Sequence, residues 1–304
     1  RSTLGRHWRI PATAIVIANG TSALLHEIVR LLRPRTCLLP VPAFSEYGHA
    51  LRMAGTREIR FPLCAERSFR LDVAEFARAI HRHRPALAIV NSPHNPSGVL
   101  TPPRDIDILL EAARRTRTLL LLDEAFIDFA SPGSSRVRLA AAGAPLLVLR
   151  SLTKLYGMAG LRVGCAIAEP ALALRLVSAL PSWPVGALAA GAAGEALRDI
   201  DFATRSRKQN TAARRRLARD LASLGCFVFP SAANFLLVRL PGDAPSAGRA
   251  KERLATESRL VVRDASNYAG LEEGGFIRVA VRRPAENARL VKAFRSLLMD
   301  PPTC

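Results

Sequence analysis

The chain has little lysine. Its 304 residues carry 44 Lys and Arg against 25 Asp and Glu, a formal net charge of +19, yet its only lysines are Lys154, Lys208, Lys251 and Lys292. Arginine supplies nearly all of the excess, mostly alternating with Ala and Leu along helical stretches. A clustered basic patch would suit nucleic acid, because it neutralises phosphates and releases counterions. Diffuse charge of this kind dresses solvated helix faces, so no nucleic-acid partner is expected. The sharpest run, Arg205-Ser206-Arg207-Lys208 followed by Arg214-Arg215-Arg216, fits one exposed face of a long helix. Also missing is any uninterrupted apolar stretch of about 18 residues, and the opening Arg1-Ser2-Thr3-Leu4-Gly5-Arg6 lacks the apolar core of a secretion signal. A soluble cytoplasmic protein with no membrane partner is the expectation. The five cysteines, Cys37, Cys64, Cys165, Cys226 and Cys304, are scattered and form no C-x-x-C pair, which argues against a zinc site and a disulfide framework. Buried free thiols are expected instead.

What is present is enough apolar material, 49% of the residues, for one large domain or a large domain with a smaller one. Between about residues 14 and 170, short apolar runs alternate with longer helical patterns, the rhythm of a mostly parallel sheet with helices on both faces. The expected strands are residues 14–18, 37–39, 86–90, 119–122, 146–149 and 162–168, with helical segments at 22–32, 73–81 and 105–115. After about residue 186 comes an Ala- and Arg-rich helical region, 187–224, and then strands at 227–229, 235–239, 260–263 and 276–281 with helices at 248–257 and 284–298. That second part reads as a smaller α+β domain with helices on one face of a short sheet. The division is therefore a large domain over 1–185 and a linking helix with the small domain over 186–304. The loops at 241–246 and 272–275 look exposed, and there is no internal repeat.

In open α/β sheets, ligands sit beyond the carboxyl ends of the strands. Just past those ends lie Asn19-Gly20-Thr21-Ser22, Asn91-Ser92-Pro93-His94-Asn95-Pro96-Ser97-Gly98, Asp123-Glu124 and Ser151-Leu152-Thr153-Lys154. Each has an ordinary structural explanation alone, turn chemistry for the second and helix capping for the first. Four clusters from four strands point to one crevice.

The stretch from Ser151 to Arg162, Ser-Leu-Thr-Lys-Leu-Tyr-Gly-Met-Ala-Gly-Leu-Arg, resembles the lysine motif S-x-[ST]-K-x-x-G-x-x-G-x-R of class I/II pyridoxal-phosphate aminotransferases at every defining position. The resemblance implies fold type I, with a large, mostly parallel seven-stranded sheet and a smaller C-terminal α+β domain. It implies that Lys154 holds pyridoxal 5′-phosphate as a Schiff base while Ser151, Thr153 and Arg162 hold its phosphate. The chemistry agrees, since hydroxyls and a guanidinium make charge-assisted bonds to phosphate, and a neighbouring cation favours the neutral, nucleophilic amine. Leu119-Leu120-Leu121-Leu122-Asp123-Glu124-Ala125-Phe126 is similar to the family's strand ending in D-E-A-[YF], which implies that Asp123 pairs with the pyridine nitrogen; a helix N-cap is its alternative. The segment from Asn91 to Gly98 resembles N-P-x-N-P-T-G and implies Asn95 at the cofactor's phenolic oxygen. Gly20, Thr21 and Ser22 open a helix whose free N–H groups suit a phosphate. Phe44 matches the aromatic stacked on the ring, with simple packing as the alternative.

Near the other end, Phe276-Ile277-Arg278-Val279-Ala280-Val281 looks like the family's strand with the substrate arginine, so the resemblance implies Arg278 as the clamp on an α-carboxylate. Arg263 matches a second arginine that meets a distal anion, with a surface arginine as its rival. The similarity narrows to two branches, threonine-phosphate decarboxylases of cobalamin biosynthesis and histidinol-phosphate aminotransferases. Phe126, where the aminotransferases carry Tyr, together with Trp183-Pro184-Val185-Gly186-Ala187-Leu188-Ala189 and Arg278-Val279-Ala280-Val281-Arg282, leans toward the decarboxylases. The substrate expected is a phosphorylated amino acid or amine. The resemblance further implies a homodimer and an N-terminal arm ahead of the first strand, which is short or missing here.

Overall fold

Three runs bury every residue on both faces: Leu87–Asn91 (β4), Leu119–Asp123 (β5) and Leu146–Ser151 (β6), apart from the half-buried Leu119. Continuous apolar text of this kind is what a sheet covered on both sides requires. In the computed structural model, which describes residues 1–272 and 275–299, these strands form the centre of a seven-stranded sheet. The others are Ile15–Ala18 (β1), Thr36–Val41 (β2), Arg57–Pro62 (β3) and Gly164–Ile167 (β7), in the order β1-β7-β6-β5-β4-β2-β3. Only β7 runs antiparallel to its neighbours.

Successive side chains alternate between two cores, as a period of two demands. Ala88, Val90, Leu120 and Leu122 enter the core covered by Ser2–Trp8 (α1), Val73–His83 (α4), Pro103–Thr116 (α5), Val137–Ala141 (α6) and Ala187–Arg198 (α8). Leu87, Ile89, Leu121 and Leu149 enter the other, beneath Thr21–Leu32 (α2), Ser45–Met53 (α3) and Pro170–Ala179 (α7).

The second sheet is fully antiparallel: Phe227–Val228 (β8), Phe235–Arg239 (β9), Arg263–Asp264 (β10) and Phe276–Ala280 (β11), ordered β10-β11-β9-β8. Leu236, Val238, Ile277 and Val279 pack against Ile200–Ala222 (α9), Ala247–Ser258 (α10) and Pro284–Met299 (α11). Leu237 and Phe276, on the opposite face, pack with Leu63 and Phe69 of the large-sheet region. Arg278, two residues from Phe276 on the same strand face, is thereby turned toward that region.

Several expectations need correcting. The strand expected at 260–263 starts only at Arg263, because Arg259 ends α10 in the left-handed region and the Leu260 N–H still closes on Leu254 O. The long helical region 187–224 is two helices, broken at Asp199, whose carboxylate caps the Phe202 N–H of α9. The basic run on α9 is not a single solvated face: Arg207 donates to Asp128 O at 2.9 Å and Arg214 to Ala233 O at 2.9 Å, both half-buried. Cys37, Cys165 and Cys226 are buried free thiols, but Cys64 is exposed beside a short 3-10 turn. Cys304 and part of the 272–275 loop lie outside the described residues. Among the described residues no helix is long and apolar enough to cross a membrane, and no cluster of His, Cys, Asp and Glu could hold a metal ion.

Candidate active site

Five parallel strands end along one rim, and the segments leaving them carry the residues singled out in the sequence. Gly20 follows β1, Phe44 follows β2, the Asn91–Gly98 segment leaves β4, Asp123 ends β5 and Ser151 ends β6. Register fixes their lateral order, with Asn91 opposite Asp123 and Ser151 opposite Gly164, which in turn pairs with Ala18.

At one end of the rim the backbone closes tightly. A Cβ on Gly164 would stand 2.6 Å from the Thr21 nitrogen, and one on Gly20 would stand 2.5 Å from Arg162 Nη2. Gly20 also has φ +86, a left-handed conformation that glycine adopts at little cost. The two glycines bring the N-terminus of α2, which has no side-chain cap, under the Arg162 guanidinium. Ser151 and Thr153 are buried and share a 2.7 Å hydrogen bond between hydroxyls. Main-chain N–H groups, two hydroxyls and a guanidinium form a donor set with no acidic member, the chemistry a phosphate monoester needs.

At the middle, Asp123 is buried. Its Oδ2 accepts from Tyr47 Oη at 2.6 Å and its Oδ1 from the Ala125 N–H at 2.9 Å. Burial pushes its pKa up, while Tyr47, the Ala125 amide and the Lys154 charge pull it down. A cationic nitrogen brought to this carboxyl would favour its ionised form. Lys154 is half-buried, its Nζ 5.6 Å from the centroid of Phe126. Desolvation, then the positive field of Arg162, lowers its pKa, with Asp123 opposing; the amine is held closer to its neutral, nucleophilic form than a solvated lysine.

At the second-sheet side, Arg278 Nη1 donates to Asn95 Oδ1 at 2.6 Å, and Tyr268 Oη reaches the same oxygen at 3.3 Å. The Arg278 guanidinium lies 5.0 Å from the Phe235 ring, and Phe235 packs edge-on against Phe126. Arg278 and Arg263 are direct cross-strand partners. Arg263 is exposed and bonds only Asn267, at 3.2 Å, among the described contacts. Phe44 is half-buried and stands perpendicular to Tyr47, with centroids 5.7 Å apart. The residues singled out in the sequence thus gather around one crevice, Arg263 at its outer edge.

The family description Aminotransferase class I and II matches residues 4–294. The chain belongs to that family. Among curated relatives of this aminotransferase-family chain, the threonine-phosphate decarboxylase of Salmonella typhimurium is 32% identical over 97% of this chain and 80% of the relative. Histidinol-phosphate aminotransferase 1 of Ralstonia nicotianae is 34% identical over 99% and 79%. The adenosylcobalamin biosynthesis bifunctional protein CobDQ of Leptospira interrogans is 30% identical over 93% of this chain, which spans 32% of that longer protein. The crystal structure of L-threonine-O-3-phosphate decarboxylase from Porphyromonas gingivalis superposes with a TM-score of 0.84 at 27% identity, covering 98% of this chain and 86% of that one. The Sinorhizobium meliloti histidinol-phosphate aminotransferase, solved in complex with pyridoxal-5′-phosphate, gives 0.89 at 25%, covering 98% and 80%.

Three features of this aminotransferase-family chain escaped the sequence reading. Tyr47 is the partner of Asp123; its place one helical turn after Phe44, on an amphipathic helix, was the available signal. His94 is buried, its Nε2 donating to Pro42 O at 2.9 Å and its Nδ1 accepting from Ser97 Oγ at 2.7 Å. A carbonyl can only accept, so the neutral tautomer is set, and burial lowers the pKa to about 4. This imidazole ties the Asn95 loop to the loop carrying Phe44. Behind the crevice, buried Arg150 bonds Asp128, lies 3.6 Å from Glu124 and stacks 4.9 Å from Trp8. That ion cluster stiffens the strand end from which Ser151 emerges.

Proposed function

We propose that the chain binds pyridoxal 5′-phosphate through Lys154 and removes carbon dioxide from L-threonine O-3-phosphate, leaving (R)-1-amino-2-propanol O-2-phosphate, a step of cobalamin biosynthesis. The observation that carries this reading is Phe126, an aromatic without a hydroxyl set against the Lys154 amine and backed by Phe235. A carboxylate that sheds its charge as neutral carbon dioxide is favoured by such an apolar wall.

When bound, the cofactor supplies an electron sink for the pair left on Cα as a bond there breaks. The protein's residues do the rest. Ser151, Thr153, Arg162 and the N-terminus of α2, with Gly20, Thr21 and Ser22, hold the phosphate, while Asp123 holds the ring nitrogen and keeps it protonated. Asn95 serves the phenolic oxygen and Phe44 the ring face. Arg278 would take the α-carboxylate in a fork and so fix how the substrate's Cα bonds are oriented in the pocket. Lys154 Nζ returns a proton to Cα after carbon dioxide leaves. Arg263 takes the substrate's distal anion. The division at 185–186 assigns the cofactor contacts to the large unit and both substrate arginines to the smaller one, with α8 still packed on the large sheet. A homodimer is part of the proposal: Trp183 and Leu188, 89% and 87% exposed, are apolar surface that a second subunit would cover.

A second reading, transamination of histidinol phosphate with 2-oxoglutarate, is favoured by the 34% identity to the Ralstonia nicotianae aminotransferase. The same pocket runs either reaction according to the angle Arg278 imposes. Purified protein with pyridoxal phosphate is given L-threonine O-3-phosphate, then histidinol phosphate with 2-oxoglutarate, and carbon dioxide and glutamate are followed. Carbon dioxide from the first mixture is expected; glutamate from the second without carbon dioxide from the first overturns the decarboxylase in favour of the aminotransferase.

A further inference from the structure

Asp123 and Ser151 belong to the crevice, and their neighbours in the chain are turned to the opposite face of the sheet. Side chains alternate along β5 and β6, so Glu124, just past β5, and Arg150, on β6, fall on the side of Leu122 and Val148, in the core beneath α1 and α5. The β5–β6 ladder runs out at this point. Its last residue pair is Asp123 with Leu149, followed by the Glu124 N–H on Leu149 O at 2.9 Å, whereas Ser151 is paired with Gly164 of β7. Beyond the ladder, side chains span the two strands. Arg150 Nη1 lies 3.6 Å from Glu124 Oε2, and Ser135 Oγ donates to that oxygen while accepting from Arg150 Nη1 at 3.1 Å. The Arg136 N–H donates to Glu124 Oε1 at 2.7 Å. Arg150 Nη2 bonds Asp128, whose carbonyl accepts from Arg207 of α9 at 2.9 Å.

Stability alone is a poor reason for this arrangement. Glu124 and Arg150 are 1% and 4% exposed, and a buried ion pair adds little to stability that a well-packed apolar pair would not. Among the described residues Arg150 Nε is buried without a partner, a further cost. The surroundings, Leu122, Val148 and Leu152, would accept apolar side chains. What an apolar pair lacks is direction: hydrogen bonds to a planar guanidinium and a carboxylate fix both distance and orientation between the strand ends that carry them. We propose that Glu124 and Arg150 are positioning residues, whose bridge, completed by Ser135, fixes Ser151 relative to Asp123 and so sets how tightly the cofactor is held at both ends. This inference rests on the reading above, in which Asp123 takes the ring nitrogen and Ser151 the phosphate. Both braces act through the residue beside them in the chain.

The test titrates the full chain, freed of cofactor, with pyridoxal phosphate while visible absorbance is followed, and measures denaturant unfolding of the same protein without cofactor. Glu124→Gln and Arg150→Lys are each expected to raise the cofactor Kd roughly tenfold, the scale of one hydrogen bond to a charged group, and Ser135→Ala about three- to fivefold. At saturating cofactor, kcat should fall in the same order while the substrate KM, governed by Arg278 and Arg263 in the proposed function, stays within about twofold. Ser151→Ala, on the crevice side, serves as the reference and should raise Kd as well. A merely structural role would lower the unfolding midpoint and leave the Kd of the folded protein where it was. That result in the bridge variants, with Ser151→Ala still raising Kd, overturns the brace and leaves the site reading standing. Ser135 is half-buried, so Ser135→Ala decides the matter if the two charge variants do not fold. If Ser151→Ala also leaves Kd unchanged, the site reading fails and takes this inference with it.

Discussion

On the large-sheet wall of the crevice, Asp123, Asn95, Ser151 and Thr153 are 3–6% exposed, and each is hydrogen-bonded within the protein. On the second-sheet wall, Arg278 is half-buried and Arg263 is exposed with one long contact to Asn267. In the proposed function, the groups that would keep one partner through every turnover are the ones set in advance by sheet register and buried bonds, at no ordering cost during the reaction. The groups proposed to meet the substrate are left with replaceable partners. Arg278 bonds Asn95 Oδ1, so in the proposed mechanism it exchanges an amide oxygen for a carboxylate as substrate enters.

The contrast breaks most visibly at Asp123. Asp123→Asn keeps the shape but removes the charge proposed to hold the ring nitrogen, and turnover is expected to fall on the order of 10²–10³-fold. A loss below tenfold in steady-state assays would mean that this wall does not act on the cofactor electronically.

A smaller effect is expected in the acid stability of the loop that carries Asn95. The His94 pKa is depressed from 6.5 to about 4, so the unfolded chain takes up this proton before the native one does. The stability it supports is present above pH 6.5 and is lost as pH falls toward 4, up to about 3 kcal/mol in all. Denaturant unfolding at several pH values should show a shallower acid decline in His94→Gln; an unchanged decline would remove His94 from the account. Tyr47→Phe is expected to have the smallest effect, about 1–3 kcal/mol of stability for one hydrogen bond to a buried carboxyl. It should also raise the Asp123 pKa further, seen as a shifted pH dependence of the cofactor's absorbance. Stability and absorbance both matching wild type would show that Tyr47 only fills space.

Much of this contrast was legible in the sequence because rim residues follow apolar runs that can only be buried strands. Leu119–Asp123 announces both its strand and the position of its terminal acid. Less legible was β3, whose Arg-Glu-Ile-Arg-Phe-Pro text alternates neither cleanly apolar nor polar because it lies at the sheet edge with both faces partly wet. The inward turn of Arg207 and Arg214 depended on where α9 crosses Asp128 and Ala233, contacts distant in sequence. Tyr47 and Arg150 were hidden for the same reason, since their partners are chosen by packing and strand register rather than by neighbours in the chain.

The most direct measurement follows from the scarcity of lysine. Purified protein is mixed with pyridoxal phosphate, its visible absorbance recorded, the adduct reduced with borohydride and the labelled peptide mapped. A visible band and a label at Lys154 are expected, both lost in Lys154→Ala. No band, or a label confined to Lys208, Lys251 or Lys292, would contradict it.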